Sequence, residues 1–98
     1  RHEVFAELVV YPQLSPFDPA PLLNSLSQTR RLLTIEEGTH TLGWGAEVLA
    51  SAMEAPGPGF RAGRVASADL PIPAAPALEA AVLPSVEGIV TAALAMLR

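Results

Sequence analysis

The sequence predicts an α/β fold, in which a mainly parallel sheet of about three to four strands is flanked by helices in three layers. Three observations predict it. Short apolar runs alternate with helical stretches, one four-residue apolar run suits a strand buried on both faces, and the last segment has a clear helical period. The 98 residues suffice for one small core, so we expect residues 1–98 to form a single domain.

The first predicted strand is the β-rich run Glu7–Tyr11, which Pro12 ends because proline has no backbone N–H to donate. A proline-containing loop then leads to the first predicted helix. Asp18 is its expected N-cap and Pro19 its first residue, where the missing N–H costs nothing. Leucines spaced three and four residues apart form its apolar face, namely Leu22, Leu23 and Leu26.

The middle of the chain predicts a second strand and a second helix. Leu32–Ile35 is the apolar run expected to be buried on both faces. The sequence Glu36-Glu37-Gly38 predicts a turn, and the polar segment 39–45 predicts a loop. A helix is expected from about Trp44 to Glu54.

The last third of the chain predicts a loop, a weaker strand and a final helix. Ala55–Gly59 contains two prolines and two glycines and cannot continue a helix, and a strand is expected near Arg64–Ala66. Residues 67–84 are rich in proline and are expected to run extended over the surface. Ser85 is the predicted cap of a helix with the apolar positions Val86, Ile89, Val90, Ala93, Leu94 and Leu97.

Composition excludes several classes of function. Hydrophobic residues make up 50% of the chain and charged residues only 16%, so we expect some apolar surface to contact a partner. The net charge is −4 and all six basic residues are arginine, so no lysine nucleophile and no cationic stripe for nucleic acid is present. Cysteine is absent, and no stretch is long enough to span a bilayer. The chain lacks an initiator methionine and is expected to be a segment of a longer, cytoplasmic protein.

The residues that could carry chemistry do not form a convincing site. Glu36, Glu37 and His40 are an acidic–imidazole cluster, but a metal site needs three or more convergent ligands, and a turn here would bring only two together. The alternative is a purely structural role, in which the glutamates end a strand and orient the following loop. Asp69 has no histidine or second carboxylate near it in sequence, so a role in a surface turn is expected.

A glycine pair at the start of the second helix leaves two interpretations open. The backbone N–H groups of Gly43-Trp44-Gly45 could bind an anion, although Val48 stands where a dinucleotide fingerprint has its third glycine. A tight turn with close helix–sheet approach is the alternative. Trp44 is either a contact residue at an interface or an ordinary packing residue. We expect no catalytic, cofactor-binding or metal-ligating residue, and from the residues alone the chain is an α/β interaction domain.

Several short motifs, in order, resemble the transketolase C-terminal domain carried by the beta subunits of 2-oxo acid dehydrogenases that act on pyruvate, branched-chain acids or acetoin. Leu14-Ser15-Pro16-Phe17-Asp18 is similar to the family's L-x-P-L-D, and Ile35-Glu36-Glu37-Gly38 to V-E-E-G. Residues 43–47 resemble G-x-G-A-E, and 69–73 resemble D-x-P-x-P. The resemblance covers about residues 7–97.

The resemblance implies a non-catalytic scaffold that builds a subunit interface in a thiamine-dependent oxidoreductase. The parent enzyme would use thiamine diphosphate and magnesium, held by other domains, to decarboxylate a 2-oxo acid and acylate lipoyl groups. The implied partners are other domains and subunits of that enzyme, a second copy in a homo-oligomer, and a lipoyl acyltransferase core. Neither nucleic acid nor a membrane is an expected partner. The residues expected at the interface are Glu36, Glu37, His40 and Trp44.

Two departures from the family pattern affect these expectations: Val10-Tyr11-Pro12 replaces the family's usual Asp-Leu-Arg, and the Pro/Gly loop at 55–59 replaces what is usually a longer helix end. The strand and helix with which the family domain opens are also expected to be missing before Glu7–Tyr11. The sheet is therefore expected to have a vacant edge, which invites association. Alternatives are the same domain from a transketolase or a deoxyxylulose-phosphate synthase, or a stand-alone anion-binding module that uses Gly43–Gly45.

Overall fold

The fold alternates helices and strands. The computed structural model describes residues 5–57, 59–69 and 82–97. Its elements, in chain order, are helix α1 (Ala20–Thr29), strand β1 (Arg31–Thr39), helix α2 (Trp44–Glu54), strand β2 (Arg61–Ser67) and helix α3 (Val86–Ala95). The strands pair in parallel, with α2 as the crossover between them.

The register of the two strands is regular at their start and irregular near their end. Arg31 pairs with Arg61 and Ile35 with Val65, but the next pair is Thr39 with Ser67. Over this last step β1 advances four residues while β2 advances two, so β1 bulges. A bulge redirects the side chains next to it, and Glu36 lies inside this one.

Helices cover the sheet on both sides, which confirms the three-layer α/β prediction. On one side, which we call the α1/α2 face, Leu32 packs in a buried cluster with residues of the first two helices, namely Leu22, Leu26, Val48 and Ala52. On the opposite side, which we call the α3 face, a Cβ atom built at Gly63 would lie 3.1 Å from the Met96 sulfur and 3.4 Å from Leu33 Cδ1. Glycine at this position lets the end of α3 approach the sheet closely.

α1 begins and ends almost where the sequence predicted. The helix starts at Ala20, one residue later than expected, with Pro19 at the N-cap position. The Asp18 carboxylate accepts a hydrogen bond from the Ala20 N–H at 3.0 Å, so Asp18 still satisfies a free donor at the helix start. Arg30 ends the helix in the left-handed conformation, and its N–H donates to the Leu26 carbonyl.

The predicted strand at Glu7–Tyr11 is wrong, because residues 5–19 form neither helix nor strand. A strand needs a neighbour, and within the described ranges β1 and β2 pair only with each other. The expected three to four strands are therefore two in this part of the chain. Two apolar side chains of the segment stay exposed, Leu8 by 83% and Val10 by 74%.

The predicted turn at Glu36-Glu37-Gly38 is also wrong, because β1 continues through these residues to Thr39. The predicted strand at 32–35 is thus the first half of a longer one. The helix expected from Trp44 to Glu54 is confirmed, and β2 confirms and extends the strand expected near Arg64–Ala66. The Pro/Gly loop between them is confirmed in its described residues, and Pro58 lies outside them.

The final helix is confirmed, but its burial differs from the expected pattern. The Ser85 hydroxyl caps α3 by accepting a hydrogen bond from the Gly88 N–H at 3.0 Å. No residue between Val86 and Ala95 is buried, and Val86 and Val90 are 78% and 40% exposed. The apolar side of α3 is therefore only partly covered by the described part of the chain. Most of the proline-rich stretch expected to run extended over the surface, residues 70–81, lies outside the described residues.

Candidate functional site

The candidate site lies at the carboxyl end of the two-stranded sheet. Because the strands are parallel, both carboxyl ends meet at one edge, and the start of α2 is next to them. The residues His40–Gly43 connect β1 to α2, and we call them the 40–43 loop. Ligands of open α/β sheets bind at this end, so any unoccupied polar side chain here would be a candidate for chemistry.

The Glu36 carboxylate is occupied by the fold itself. Both of its oxygens accept a hydrogen bond from the Gly45 N–H at 3.1 Å, near the positive N-terminal end of α2. One of them also lies 3.7 Å from Arg64 Nη2, in an ion pair whose side chains are only 12% and 15% exposed. Glu36 therefore fastens the helix start and β2 to the end of β1.

The two glycines of the predicted helix start allow this contact. A Cβ atom at Gly43 would overlap the Thr39 carbonyl and the Glu36 carboxylate, and one at Gly45 would lie 2.6 Å from Thr34 Oγ1. The expectation of a close helix–sheet approach is confirmed. The Gly45 N–H that an anion would need already donates to Glu36, which argues against the anion-binding alternative.

The 40–43 loop is held from several sides. The His40 N–H donates to the Ser67 carbonyl at 3.0 Å, and the Arg64 guanidinium donates to the His40 carbonyl. The Asp69 carboxylate accepts from both the Thr41 N–H, at 2.8 Å, and the Thr41 hydroxyl. Asp69 therefore has the turn role that the sequence predicted, and these hydrogen bonds from Thr41 hold the pKa of its carboxyl below the ordinary value.

Ser67 and Glu37 join the ends of the two strands. Ser67 has no exposed surface, and its hydroxyl donates to the Glu37 carbonyl. The Glu37 side chain is exposed, as is that of His40. Two of the four predicted interface residues therefore present side chains to solvent, whereas the Glu36 carboxylate is turned inward.

Trp44, the fourth predicted interface residue, is half-buried under the segment before α1. Its indole N–H donates to the Leu14 carbonyl at 3.2 Å. The Tyr11 and Phe17 rings contact it edge-on, each with its centroid 5.6 Å away. Burial against this cluster raises the pKa of the Tyr11 hydroxyl. Trp44 thus ties residues 11–17 to the start of α2.

The arrangement offers structural contacts rather than reactive groups. Within the described residues, no group of three His, Cys, Asp or Glu side chains could hold a metal ion. A shallow depression between α1, α2 and Phe60 is lined mainly by apolar groups. No helix in the described part is long and apolar enough to cross a membrane.

Sequence reasoning missed three contributors to this site. The sequence pattern places Arg64 only in a strand, yet its guanidinium contacts both Glu36 and the loop. Ser67 is fully buried, and Leu42 is 97% exposed with a left-handed backbone, φ 59°. A leucine between a threonine and a glycine in a polar stretch is the one signal that could have drawn attention to the loop.

The fold and the site together define a small three-layer α/β domain whose polar groups fasten the carboxyl end of a parallel sheet. Comparison with known proteins then identifies the family. The sequence profile described as "Transketolase, C-terminal domain" matches residues 1–89. The chain belongs to the transketolase C-terminal domain family, as its motifs indicated.

The relatives are beta subunits of pyruvate dehydrogenase. The pyruvate dehydrogenase E1 component subunit beta-1, mitochondrial, of Oryza sativa subsp. japonica is 39% identical over 95 residues, which are 95% of this chain and 25% of the relative. The E1 component subunit beta, mitochondrial, is 37% identical in Dictyostelium discoideum and 36% in Homo sapiens, covering 95% and 94% of this chain and 27% and 26% of the relatives. No solved structure matches the chain significantly.

These relatives agree with the family expected from the sequence, but they are much longer proteins. The chain spans about a quarter of the length of the relatives it matches. The relatives are named mitochondrial proteins, which does not agree with the cytoplasmic compartment expected from the sequence.

Proposed function

We propose that this chain is the C-terminal scaffold domain of the beta subunit of a thiamine-dependent 2-oxo acid dehydrogenase, and that it holds subunits together without carrying out the reaction. The observation that carries the proposal is that the Glu36 carboxylate is directed inward. It accepts a hydrogen bond from the Gly45 N–H of α2 and pairs with Arg64 of β2. A carboxylate in this state fixes geometry and is not free to act on a substrate. The family match and the beta-subunit relatives support the same conclusion.

The parent enzyme would supply the chemistry that this domain lacks. We propose that thiamine diphosphate and magnesium belong to other parts of that enzyme, which would decarboxylate a 2-oxo acid and pass the acyl group to lipoyl groups. The relatives are named for pyruvate, so pyruvate is the proposed substrate of the whole protein. The same domain in a transketolase or a deoxyxylulose-phosphate synthase is the weaker candidate, because the rice, Dictyostelium and human relatives are all dehydrogenase subunits.

The proposed partners are other subunits of the parent E1 component, with a second copy of the beta subunit and a lipoyl acyltransferase core as further candidates. Glu37, His40 and the exposed part of Trp44 are the proposed contact residues, and Glu36 supports them from inside. All four lie at one end of the sheet, and two of their side chains are exposed and polar. This placement suits the polar rim of an interface.

The proposed homo-oligomeric contact has a separate basis in the exposed apolar surface. Leu8 and Val10 before α1, and Val86 on α3, are each more than 70% exposed. Within the described residues β1 pairs only on the side of β2, and unpaired strand edges favour association. Sedimentation of the chain at high concentration tests this part, and a single monomeric species would contradict it.

The compartment is also part of the proposal. The cytoplasm is the default expectation from the sequence, and the relatives carry mitochondrial names. We propose a cytoplasmic protein, and localisation of the full-length protein by microscopy would decide, with co-localisation in mitochondria as the contradicting result.

Two measurements test the scaffold proposal. The isolated chain, given pyruvate, thiamine diphosphate and magnesium, is expected to release no carbon dioxide above the buffer rate, and measured turnover would overturn the proposal. In the full-length subunit, Trp44→Ala is expected to weaken assembly because it removes the ring against which Tyr11 and Phe17 pack. Trp44→Phe keeps an aromatic ring and is the matched control. Unchanged assembly of the alanine variant in gel filtration would remove Trp44 from the interface.

A further inference from the structure

Leu42, at the tip of the 40–43 loop, has an exposed side chain and an unfavourable backbone conformation. Its side chain is 97% exposed, and its backbone is left-handed with φ 59°. This conformation costs a non-glycine residue about 1–2 kcal/mol, because Cβ lies too close to the following carbonyl oxygen. Neither the exposure nor the backbone conformation is compensated by apolar contacts within the described residues.

The loop fixes the direction of this leucine before any partner binds. On one side the Asp69 carboxylate accepts two hydrogen bonds from Thr41, and the His40 N–H and carbonyl are both bonded to β2. On the other side Gly43 leads directly into α2, where a larger residue would overlap the Glu36 carboxylate. A loop backbone held in this way loses little conformational entropy on binding.

The surroundings of Leu42 are acidic. The exposed Asp69 carboxylate contacts the neighbouring residue Thr41, and exposed Glu37 and Glu47 lie at the end of β1 and in the first turn of α2. The arginine on this side is Arg64, whose charge is paired with Glu36. The other arginines of the described residues lie at the opposite end of the sheet, at positions 30, 31 and 61.

We propose that Leu42 is the anchor by which this domain docks into an apolar pocket on a different subunit, and that basic side chains surround that pocket. The inference rests on the proposed role as a subunit-interface domain. Exposed apolar side chains at fixed positions bind in pockets, and acidic groups around them select a basic rim. Two copies meeting symmetrically through this loop would bring Asp69 and Glu37 of each against the other, so like charges disfavour that contact.

The test uses the chain and the purified remaining subunits of the human pyruvate dehydrogenase E1 component, whose beta subunit is a relative. Binding is measured by biolayer interferometry for the unaltered chain and for Leu42→Asn, because asparagine tolerates the left-handed backbone and keeps the loop. Leu42→Asn is expected to raise Kd about 30-fold, the loss of a typical hot-spot side chain. Leu42→Met keeps an apolar side chain and is expected to change Kd less than about threefold.

Met53→Asn is the matched control, because Met53 is also largely exposed but lies in the last turn of α2, away from the loop. Its Kd is expected to match that of the unaltered chain. Raising the salt concentration from about 0.05 to 0.5 M should weaken binding of the unaltered chain, since the proposed rim carries the opposite charge. Circular dichroism and thermal unfolding are used to check that each variant is folded.

The outcomes separate this inference from the function on which it rests. If the unaltered chain does not bind the E1 subunits, the proposed interface role fails. If the unaltered chain and Leu42→Asn bind equally well, the interface role stands and the proposed role of Leu42 as its anchor is wrong. If Leu42→Asn instead abolishes association between copies of the chain in sedimentation, the occupant is a second copy, and the proposed basic pocket on another subunit is overturned.

Discussion

The two faces of the sheet are covered by helices in different ways. On the α1/α2 face, Leu32 lies in a buried aliphatic cluster with residues of both helices. On the α3 face, contact is made through Met96 and Gly63, while no residue of α3 itself is buried. The α1/α2 face therefore holds the domain together, whereas the α3 face leaves apolar surface that the described residues do not cover.

The largest expected effect tests the first face. Leu32→Ala removes the β1 side chain from the aliphatic cluster, in which it is 8% exposed. We expect a loss of about 2–4 kcal/mol in the free energy of unfolding, from lost burial and the cavity left behind. Urea denaturation followed by circular dichroism measures it. A loss below about 1 kcal/mol would mean that this face does not carry the stability.

A second variant tests whether polar groups also fasten the α1/α2 face. Glu36→Ala leaves the Gly45 N–H without its acceptor and the mostly buried Arg64 guanidinium without its ionic partner. We expect a loss of about 2 kcal/mol, because buried donors without partners are costly. Glu36→Gln keeps an acceptor and is the control, with a smaller expected loss. Equal stability of all three chains in denaturant would contradict the role given to Glu36.

Ser67→Ala tests the junction at which the strand ends meet. The Ser67 hydroxyl is fully buried and donates to the Glu37 carbonyl. Its removal is expected to cost about 1 kcal/mol, the net value of one hydrogen bond. Ser85→Ala, at the N-cap of α3, is a useful comparison with a similar expected cost. Thermal unfolding of both variants measures the difference, and an unchanged midpoint for Ser67→Ala would be the contrary result.

The packing of the α3 face is tested by a substitution that should hardly change the free energy of unfolding. Val90 is 40% exposed on α3, so Val90→Ala removes part of a partly covered side chain, and the better helix propensity of alanine offsets that loss. We expect a change within about 0.5 kcal/mol of the unaltered chain. A loss of about 2 kcal/mol in denaturant would show that this face is packed as tightly as the other.

The smallest expected effect is the titration of Asp69. Its pKa is lowered by hydrogen bonds from Thr41, so the folded chain favours the charged carboxylate. A lowered pKa stabilises the folded state above the unfolded pKa, and this contribution disappears as pH falls through the folded pKa. The Thr41 amide resonance should therefore titrate with a midpoint below the ordinary aspartate value of 3.8. A midpoint above it would contradict the contact.

The elements that the sequence predicted well are those whose signals are local. Ser85 caps α3 as expected, and α2 spans the predicted Trp44–Glu54. Both follow from a capping residue or a helical period within a few turns. The start of α1 differs by one residue because Pro19, expected as the first helical residue, takes the N-cap position.

The wrong predictions concern segments whose structure depends on residues far away in the sequence. Glu7–Tyr11 has the composition of a strand, but a strand forms only against a neighbour, and here Tyr11 packs on Trp44 instead. The glutamates at 36 and 37 resemble a turn in sequence, yet they extend β1 because Glu36 reaches Gly45 and the Glu37 carbonyl accepts from Ser67. These contacts span nine and 30 residues, which no local pattern encodes.

The sequence predicted four interface residues, whose role stays a prediction, but not the contacts that position them. The four expected interface residues do lie at one end of the sheet. The predicted turn hid the inward direction of Glu36, which follows Leu32 and Thr34 on the same face once β1 continues as a strand. The sequence could not show that Arg64 and Asp69 hold the 40–43 loop, since both come from beyond α2 in the chain.

The pairing of β1 on one side has a consequence for solvent exchange. A strand bonded to one neighbour directs its amide hydrogens alternately toward that neighbour and away from it. In the part of the chain described, β1 has β2 as its neighbour, so slow and fast deuterium uptake should alternate along Arg31–Ile35. Any chain that completes the sheet would slow the fast set and leave the other unchanged, which gives a residue-level signature of strand addition at that edge.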